Sequence, residues 1–331
     1  MSNNPKIGII CRDDNRGLGI QSWEFYKHLN PYKTLVIEFD GEQCFRERYK
    51  NARFCINRIN DDDIDWLLDG TDIVLSFEHF YGDNILDKAK EKGVKTILQI
   101  NYEYYFGDKP DLIIAPSLWQ YDYLPNPKVY LPVPINRELL PFKLRKKAKI
   151  FLHNTGNLKA GYDRNGTNIL LKAIPLVKSD VKFIIKSQVE TERIKDKRVE
   201  YIVKDEKNYW DCWKIDADIF IMPRRYGGLC LPLNEAMSVG MPIMMTDMKP
   251  QNEFLPKELL IKPDSFKPFN IASNYFEIAN IKPEDIANKI DEVANMPSKH
   301  IQELSKYSNY IAEEWSWEKL LPKYLKVFKN L

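Results

Sequence analysis

The chain has 331 residues, 44% of them hydrophobic, 29% charged and 12% aromatic, and 49 Lys+Arg against 47 Asp+Glu leave a formal net charge of +2. Such a composition is that of an ordinary globular protein, and its length gives a prior of two domains of roughly 150 residues each. The near-zero net charge argues neither for nor against a nucleic-acid partner and does not exclude a local basic face, while no run approaches the roughly 18 apolar residues of a membrane helix.

Short apolar runs alternate with longer amphipathic segments. "KIGIIC" (Lys6–Cys11) is expected to be a buried strand, "QSWEFYKHL" (Gln21–Leu29) a helix and "TLVIEF" (Thr34–Phe39) a strand. A short helix "DDIDWLL" follows, then the strand "DIVLSF" (Asp72–Phe77), the helix "NILDKAKEKG" closed by Gly93, and the strands "KTILQI" (Lys95–Ile100) and "DLIIAPS" (Asp111–Ser117). Near-continuous apolar strands separated by helices indicate a parallel sheet covered on both faces.

"LPVPINRELLPFKLRKKAK" breaks the rhythm with three prolines and five basic residues between Lys143 and Lys149, and reads as an interdomain linker. The pattern then restarts. "KIFLHNTG" (Lys149–Gly156) is a strand, "GTNILLKAIPLV" a helix, and "VKFIIKS" (Val181–Ser187) and "VEYIVK" (Val199–Lys204) are strands. "EKNYWDCWKI" is a helix, "ADIFIMP" a strand, "LPLNEAMSVG" a helix stopped by Gly240, "PIMMTD" and "KELLIKP" strands, and "PEDIANKIDEVANM" a helix with an early Pro283. Two consecutive α/β domains make a cleft at the C-terminal ends of their sheets the expected ligand site.

The five cysteines and four histidines form no metal-ligand spacing, so neither a metal nor a disulfide framework is expected. The N-terminal "MSNNPKIGIICRDD" has no signal-peptide apolar region, and a cytoplasmic protein with reduced thiols is the expectation.

The most informative stretch is "PRRYGGLCLPLNEAMSVGMPI" (Pro223–Ile243), directly after "DIFIM". Gly227 and Gly228 let backbone N–H groups approach a ligand. The helix that starts near Leu231 favours an anion at its N-terminus. Arg224 and Arg225 add positive charge suited to a diphosphate. Glu235 is a lone carboxylate among Leu231, Leu233, Ala236 and Met237, able to accept two hydrogen bonds from a ribose diol.

These residues resemble the donor-binding signature of the retaining GT-B glycosyltransferases of family four, the glycosyl transferases of group 1. Glu235 matches the second glutamate of that signature, whose role in the family is to hold the nucleotide ribose, while its first glutamate falls on Gly227. Gly228, Leu229 and Cys230 match positions whose backbone faces the diphosphate and sugar. "GYDRNGTNILLKAI" is similar to the family's phosphate-binding loop and helix: Arg164 fits its arginine, Asn165 stands at its lysine, and Asn157 at its other basic position. Lys159, Arg164 or Lys186 then supply the missing charge. "YWDCWKIDADIFIMP", "PDLIIAPSLWQYDYL", "YLPVPINRELLPF" and "EEWSWEKLLPKYLKVFKN" resemble further family segments. Gly17 and Gly19 match the glycine-rich loop under the donor phosphates, in a poor fit to a dinucleotide fingerprint.

The resemblance implies two Rossmann-like doubly wound α/β domains facing across a cleft, residues 1–145 on the acceptor side and 146–311 binding the nucleotide-sugar, with a terminal helix at 312–331 crossing back. It implies transfer of a sugar from a nucleoside-diphosphate sugar to an acceptor hydroxyl with retention and without a metal. The expected acceptor is a glycan or cell-surface precursor; alternatives are a modified nucleic-acid base, given "FRERYKNARF" and "KLRKKAK", a catalytically silent binding module, and a nucleotide-sugar epimerase. Glu78 and His79 fall where an acceptor would lie. The aromatics of "FEHFYGD", "NYEYYFGD" and "SLWQYDYL" offer a stacking platform. Asn101 stands where the family often has a histidine. His153 faces either donor or core.

Overall fold

The computed structural model describes residues 5–157, 162–271 and 274–331. The chain divides into two units, the first comprising the residues up to Pro134 together with Ile271–Asn274 and Trp317–Leu331, the second Ile135–Asn270 and Tyr275–Ser316.

In the first unit β1 (Ile7–Arg12), β2 (Lys33–Glu38), β3 (Arg53–Ile56), β4 (Ile73–Phe77), β5 (Lys95–Gln99), β6 (Leu112–Ala115) and β7 (Lys128–Tyr130) form one seven-stranded sheet in the order β3-β2-β1-β4-β5-β6-β7. Every pairing is parallel. Ile9, Leu35, Val36, Val74, Leu75, Leu98 and Ile114 are wholly buried. The strands are covered on both faces, so their apolar residues run on without alternation. Helices α1 (Gly17–Leu29), α2 (Asp61–Leu68) and α3 (Ile85–Glu91) connect them. α1 starts four residues before its expected position, because Gly17 and Gly19 are already helical. α2 is set by a reciprocal cap, the Asn60 side chain accepting from the Asp63 N–H at 2.9 Å while the Asp63 carboxylate accepts from the Asn60 N–H at 3.3 Å.

In the second unit β8 (Ile150–Gly156), β9 (Lys182–Ser187), β10 (Val199–Val203), β11 (Ile219–Met222), β12 (Ile243–Thr246) and β13 (Leu260–Ile261) form a six-stranded parallel sheet in the order β10-β9-β8-β11-β12-β13. Its helices are α4 (Thr167–Ala173), α5 (Leu231–Ser238), α6 (Pro283–Ala294) and α7 (Ser298–Glu314). The helix expected at "EKNYWDCWKI" is a short 3₁₀ segment, Tyr209–Trp213, and the strand expected at "KELLIKP" shrinks to two residues after a 3₁₀ turn. A separate two-stranded sheet, β14 (Ser265–Ile271) with β15 (Asn274–Asn280), and α7 have no counterpart among the expected elements.

The last helix, α8 (Trp317–Lys329), belongs to the first unit. Its wholly buried Tyr324 packs edge-on against Phe25 of α1, donates its hydroxyl to the carbonyls of Leu131 and Pro132, and accepts from Gln99 of β5 at 2.7 Å.

Each sheet reverses its winding once, between β1 and β4 in the first unit and between β8 and β11 in the second. In open parallel sheets the loops leaving the carboxyl ends of the two strands at such a reversal diverge to opposite faces, and the crevice between them is where ligands bind.

Candidate functional site

In the second unit the crevice is bounded by the loop residues from Tyr162 to Gly166 and the loop from Pro223 to Cys230. The two loops touch backbone to backbone. Gly166 lies at φ +71°, and a Cβ there would collide with the carbonyl oxygen of Pro223. Tyr162 and Asp163 just before Arg164 sit at φ 64° and 50°, a left-handed conformation that costs about 1–3 kcal/mol for a non-glycine residue and clusters at functional sites.

What this loop presents is Arg164. Gly227 lies at φ +102°, and a Cβ built on it would stand 2.5 Å from Arg164 Nη2 and 2.7 Å from Arg224 Nη2. Two guanidinium groups therefore lie against the glycine turn where the resembling family carries a glutamate. Arg224 is buried and also braces the turn, donating from Nε to the Tyr226 carbonyl (3.0 Å), from Nη2 to the Leu229 carbonyl (2.6 Å) and from Nη1 to Asn165 Oδ1 (3.3 Å). Asn165, at the family's lysine position, thus helps to hold an arginine. Arg225 faces the other way: it donates to the carbonyls of Ala279 (3.0 Å) and Tyr162 (2.9 Å) and to Asn280 Oδ1 (3.4 Å). The Ala279 N–H returns a bond to the Arg225 carbonyl, so β15 is stitched to the turn. Tyr226 stacks on Phe276 of β15 at 5.4 Å between ring centroids.

After the turn, Gly228 and Leu229 are half-buried, and Cys230 caps α5 with its thiol against Met222. The first amides of a helix have no intrahelical acceptor and carry partial positive charge, so the start of α5 adds to the field of Arg164 and Arg224. Glu235 sits further along α5 and is 5% exposed. Its carboxylate accepts from the Tyr209 hydroxyl at 2.9 and 3.0 Å and from Trp213 Nε1 at 2.8 Å. Burial and the facing Glu235 charge push the Tyr209 phenol well above its ordinary range, which keeps it a donor. Tyr209 and Trp213 were not singled out in the sequence. They are four residues apart in a segment that reads as helical, and nothing there shows that both indole and phenol aim at a carboxylate on another element.

Lys186 is buried and engaged: its ammonium donates to the Lys204 carbonyl and pairs with Glu206 at 3.4 Å. Lys159 lies outside the described residues. His153 is in the core, one ring nitrogen 2.8 Å from the Ile221 carbonyl and the other 2.8 Å from the Thr167 hydroxyl; it fastens β8 to β11 and α4. Burial lowers its pKa to about 4. An unfolded histidine titrates near 6.5, so the folded chain binds fewer protons than the unfolded one in between. The His153 contribution to stability is full above about pH 6.5 and falls as pH drops toward about 4. We expect wild type to lose up to about 1.4 kcal/mol per pH unit across that window relative to His153→Gln. Urea midpoints of the two proteins at matched pH check this, and parallel pH profiles would refute it.

In the first unit Gly17 opens α1, and a Cβ on Gly19 would collide with the Asp14 carbonyl, so that glycine serves a close approach within its own loop. His79 follows β4 beside Glu78, whose carboxylate accepts from Asn101 at 2.9 Å. Asp13, Glu38 and Cys44 bring possible ligand atoms within 4.8 Å of one another, but both Glu38 oxygens are held by Arg46. All five cysteines are free. Among the described residues no helix is long and apolar enough to cross a membrane.

Residues 151–294 match the family model described as glycosyl transferases group 1, from β8 through α6. No curated protein matches the chain in sequence. Solved structures resemble it along its whole length. Anabaena Alr3699/HepE in complex with UDP-glucose aligns at a TM-score of 0.69 and 10% identity over 98% of this chain and 99% of that one. Sucrose-phosphate synthase from Thermosynechococcus elongatus aligns at 0.69 and 13%, over 97% and 98%. A glycosyltransferase from Rickettsia africae aligns at 0.67 and 13%, over 99% of each chain. At these identities the likeness is one of fold: two Rossmann-like α/β units with parallel sheets, the GT-B fold.

Proposed function

We propose that the chain is a glycosyltransferase that moves a sugar from a nucleoside-diphosphate sugar to a hydroxyl of a glycan or cell-surface precursor, with retention of configuration. The observation that carries this reading is the convergence of the Arg164 and Arg224 guanidinium groups on Gly227, in front of the start of α5, within the segment that matches the glycosyl transferase model. The solved structures with UDP and UDP-glucose bound to a similar fold favour uridine as the nucleoside.

In this reading Glu235, oriented by Tyr209 and Trp213, accepts the ribose hydroxyls. The amides of Gly228, Leu229 and Cys230 and the Arg164 guanidinium take the diphosphate. As the bond from anomeric carbon to phosphate oxygen breaks, negative charge grows on the leaving nucleoside diphosphate, and preorganised donors lower the barrier by meeting it there. Fixed guanidinium charge serves this purpose, so transfer is expected to proceed without a divalent cation. Retention follows from attack on the face that the leaving group departs, with the departing phosphate oxygen taking the acceptor proton.

The test is thermal denaturation with UDP, UDP-glucose and the corresponding ADP and GDP compounds. A ligand of the native state at about 100 times its Kd stabilises by about 2.7 kcal/mol. UDP and at least one UDP-sugar are expected to raise Tm, and transfer to a glycan is expected to persist in EDTA. No stabilisation by any nucleotide or nucleotide-sugar would remove the reading; binding without transfer to any acceptor would reduce the chain to a binding module.

A further inference from the structure

The small sheet of β14 and β15 lies beside the glycine turn, yet the proposed donor chemistry uses none of its side chains. A two-stranded sheet is marginal in water by itself, and this one is held by aromatic contacts. Phe269 of β14 and Phe276 of β15 meet edge-on at 5.8 Å between ring centroids. Both lie against the wholly buried ring of Tyr226, Phe276 stacked at 5.4 Å and Phe269 tilted at 6.0 Å. Arg164 completes the row: its Cζ stands over the Tyr226 ring, 5.5 Å from the centroid. Tyr162, two residues before Arg164, is gripped twice. Its ring meets Phe269 edge-on at 4.6 Å, and its carbonyl accepts from Arg225, which also donates to the Ala279 carbonyl of β15.

A guanidinium at this place needs holding. Its long stem has many rotamers, and the Nη2 atoms of Arg164 and Arg224 both lie within reach of a single Cβ built on Gly227. Like charges at such a separation repel, and that repulsion drives Arg164 away from the turn. The negative face of an aromatic ring attracts a cation, more strongly as the cation loses water, and Arg164 is half-buried. The Tyr226 ring can supply that attraction only while its own plane is fixed, and Phe269 and Phe276 fix it. The small sheet thus controls Arg164 at two levels. Tyr162 sets where its backbone enters the site, and Tyr226 sets where its guanidinium rests.

We propose that Tyr226 and Phe276 are positioning residues: through their stacked rings the sheet of β14 and β15 holds the Arg164 guanidinium against Gly227, oriented toward the leaving group. The effect on turnover rests on the transferase reading; the ordering of Arg164 does not.

The experiment has two arms, both on the full chain. In the first, heteronuclear NMR follows the Nε–H signal of Arg164, identified by its absence from Arg164→Lys. The heteronuclear NOE, which reports fast side-chain motion, is expected to be that of an ordered group in wild type and in Tyr226→Phe, which keeps the ring. It is expected to fall to that of a mobile side chain in Tyr226→Leu and Phe276→Leu. Backbone amide signals remote from the turn show that each variant is folded, and Phe276→Leu, the milder change, carries the test where Tyr226→Leu does not fold. In the second arm, kcat at saturating donor is expected to drop about tenfold in either leucine variant, while Tyr226→Phe keeps most of the wild-type rate. In an Arg164→Ala background the same leucine changes are expected to shift kcat by less than about twofold, because residues that act through one another are not additive. An Arg164 signal as ordered in the leucine variants as in wild type, a Tyr226→Phe signal as mobile as that of Tyr226→Leu, or leucine losses that multiply with that of Arg164→Ala would each overturn the positioning. A wild-type chain that binds no nucleotide or nucleotide-sugar removes the transferase reading instead, and the NMR arm then decides the positioning by itself.

Discussion

Replacing Glu235 by glutamine is expected to raise the KM for the donor by roughly tenfold, while the melting temperature stays close to that of wild type. The estimate comes from charge. Hydrogen bonds to an ionised acceptor are worth about 1.5–3 kcal/mol and neutral ones about 0.5–1.5 kcal/mol. Removing the charge from a group that takes ribose hydroxyls therefore loses about 1–2 kcal/mol, and each 1.4 kcal/mol is tenfold. Glutamine is the informative change because its carbonyl oxygen still serves Tyr209 and Trp213, which meet Glu235 at 2.8–3.0 Å. Alanine would strand a phenol and an indole donor, at about 1–3 kcal/mol each, and mix stability with binding. Steady-state kinetics against donor concentration decide the matter. A donor KM equal to that of wild type means Glu235 is an anchor for Tyr209 and Trp213 and nothing more.

The second large effect concerns Arg164. Truncation to alanine is expected to lower kcat by about 10²–10³, the usual cost of about 2.7–4 kcal/mol for one preorganised donor to developing charge. The strained pair Tyr162 and Asp163 and the contact of Gly166 with Pro223 fix the loop that carries it, and its guanidinium reaches the α-carbon side of Gly227. Lysine should recover only part of the loss, since an ammonium lacks the planar fork. Arg225→Ala provides the contrast. That side chain ties Tyr162, Ala279 and Asn280 together, so its loss should lower Tm more than it lowers kcat. Single-turnover rates with saturating donor separate the two, and an Arg164→Ala enzyme within about twofold of wild type would show that the leaving group is stabilised elsewhere.

The helices and strands that were legible in the sequence share a physical property. β1, β2, β4, β5, β8, β9 and β11 are buried on both faces, so each carries a near-continuous apolar run that no turn or exposed helix imitates. The elements that escaped are those made by their neighbours. β3 and β7 are edge strands of four and three residues, drawn into the sheet by pairing alone. α7 buries Ile301 and Leu304, but its inward row continues through Ser305, Ser308 and Ala312, residues that carry little hydrophobic signal. β14 contains Pro268 and is largely exposed, and the aromatic packing of β15 on Tyr226 is a contact some 50 residues distant in the chain.

At the candidate site the same division holds. The chain's order of residue types fixed the strand, the glycine turn and the helix from Ile219 to Ser238, because the backbone freedom of Gly227 and the burial of a lone glutamate are local facts. Which cation serves the turn was not local. Of two adjacent arginines, Arg224 turns inward to brace the glycine loop and Arg225 outward to β15; Lys186 is taken by Glu206; and Arg164 is brought in from another loop. A guanidinium on a long flexible stem goes wherever acceptors and the cost of burying charge send it, and those acceptors are main-chain carbonyls whose positions exist only once the sheet has formed.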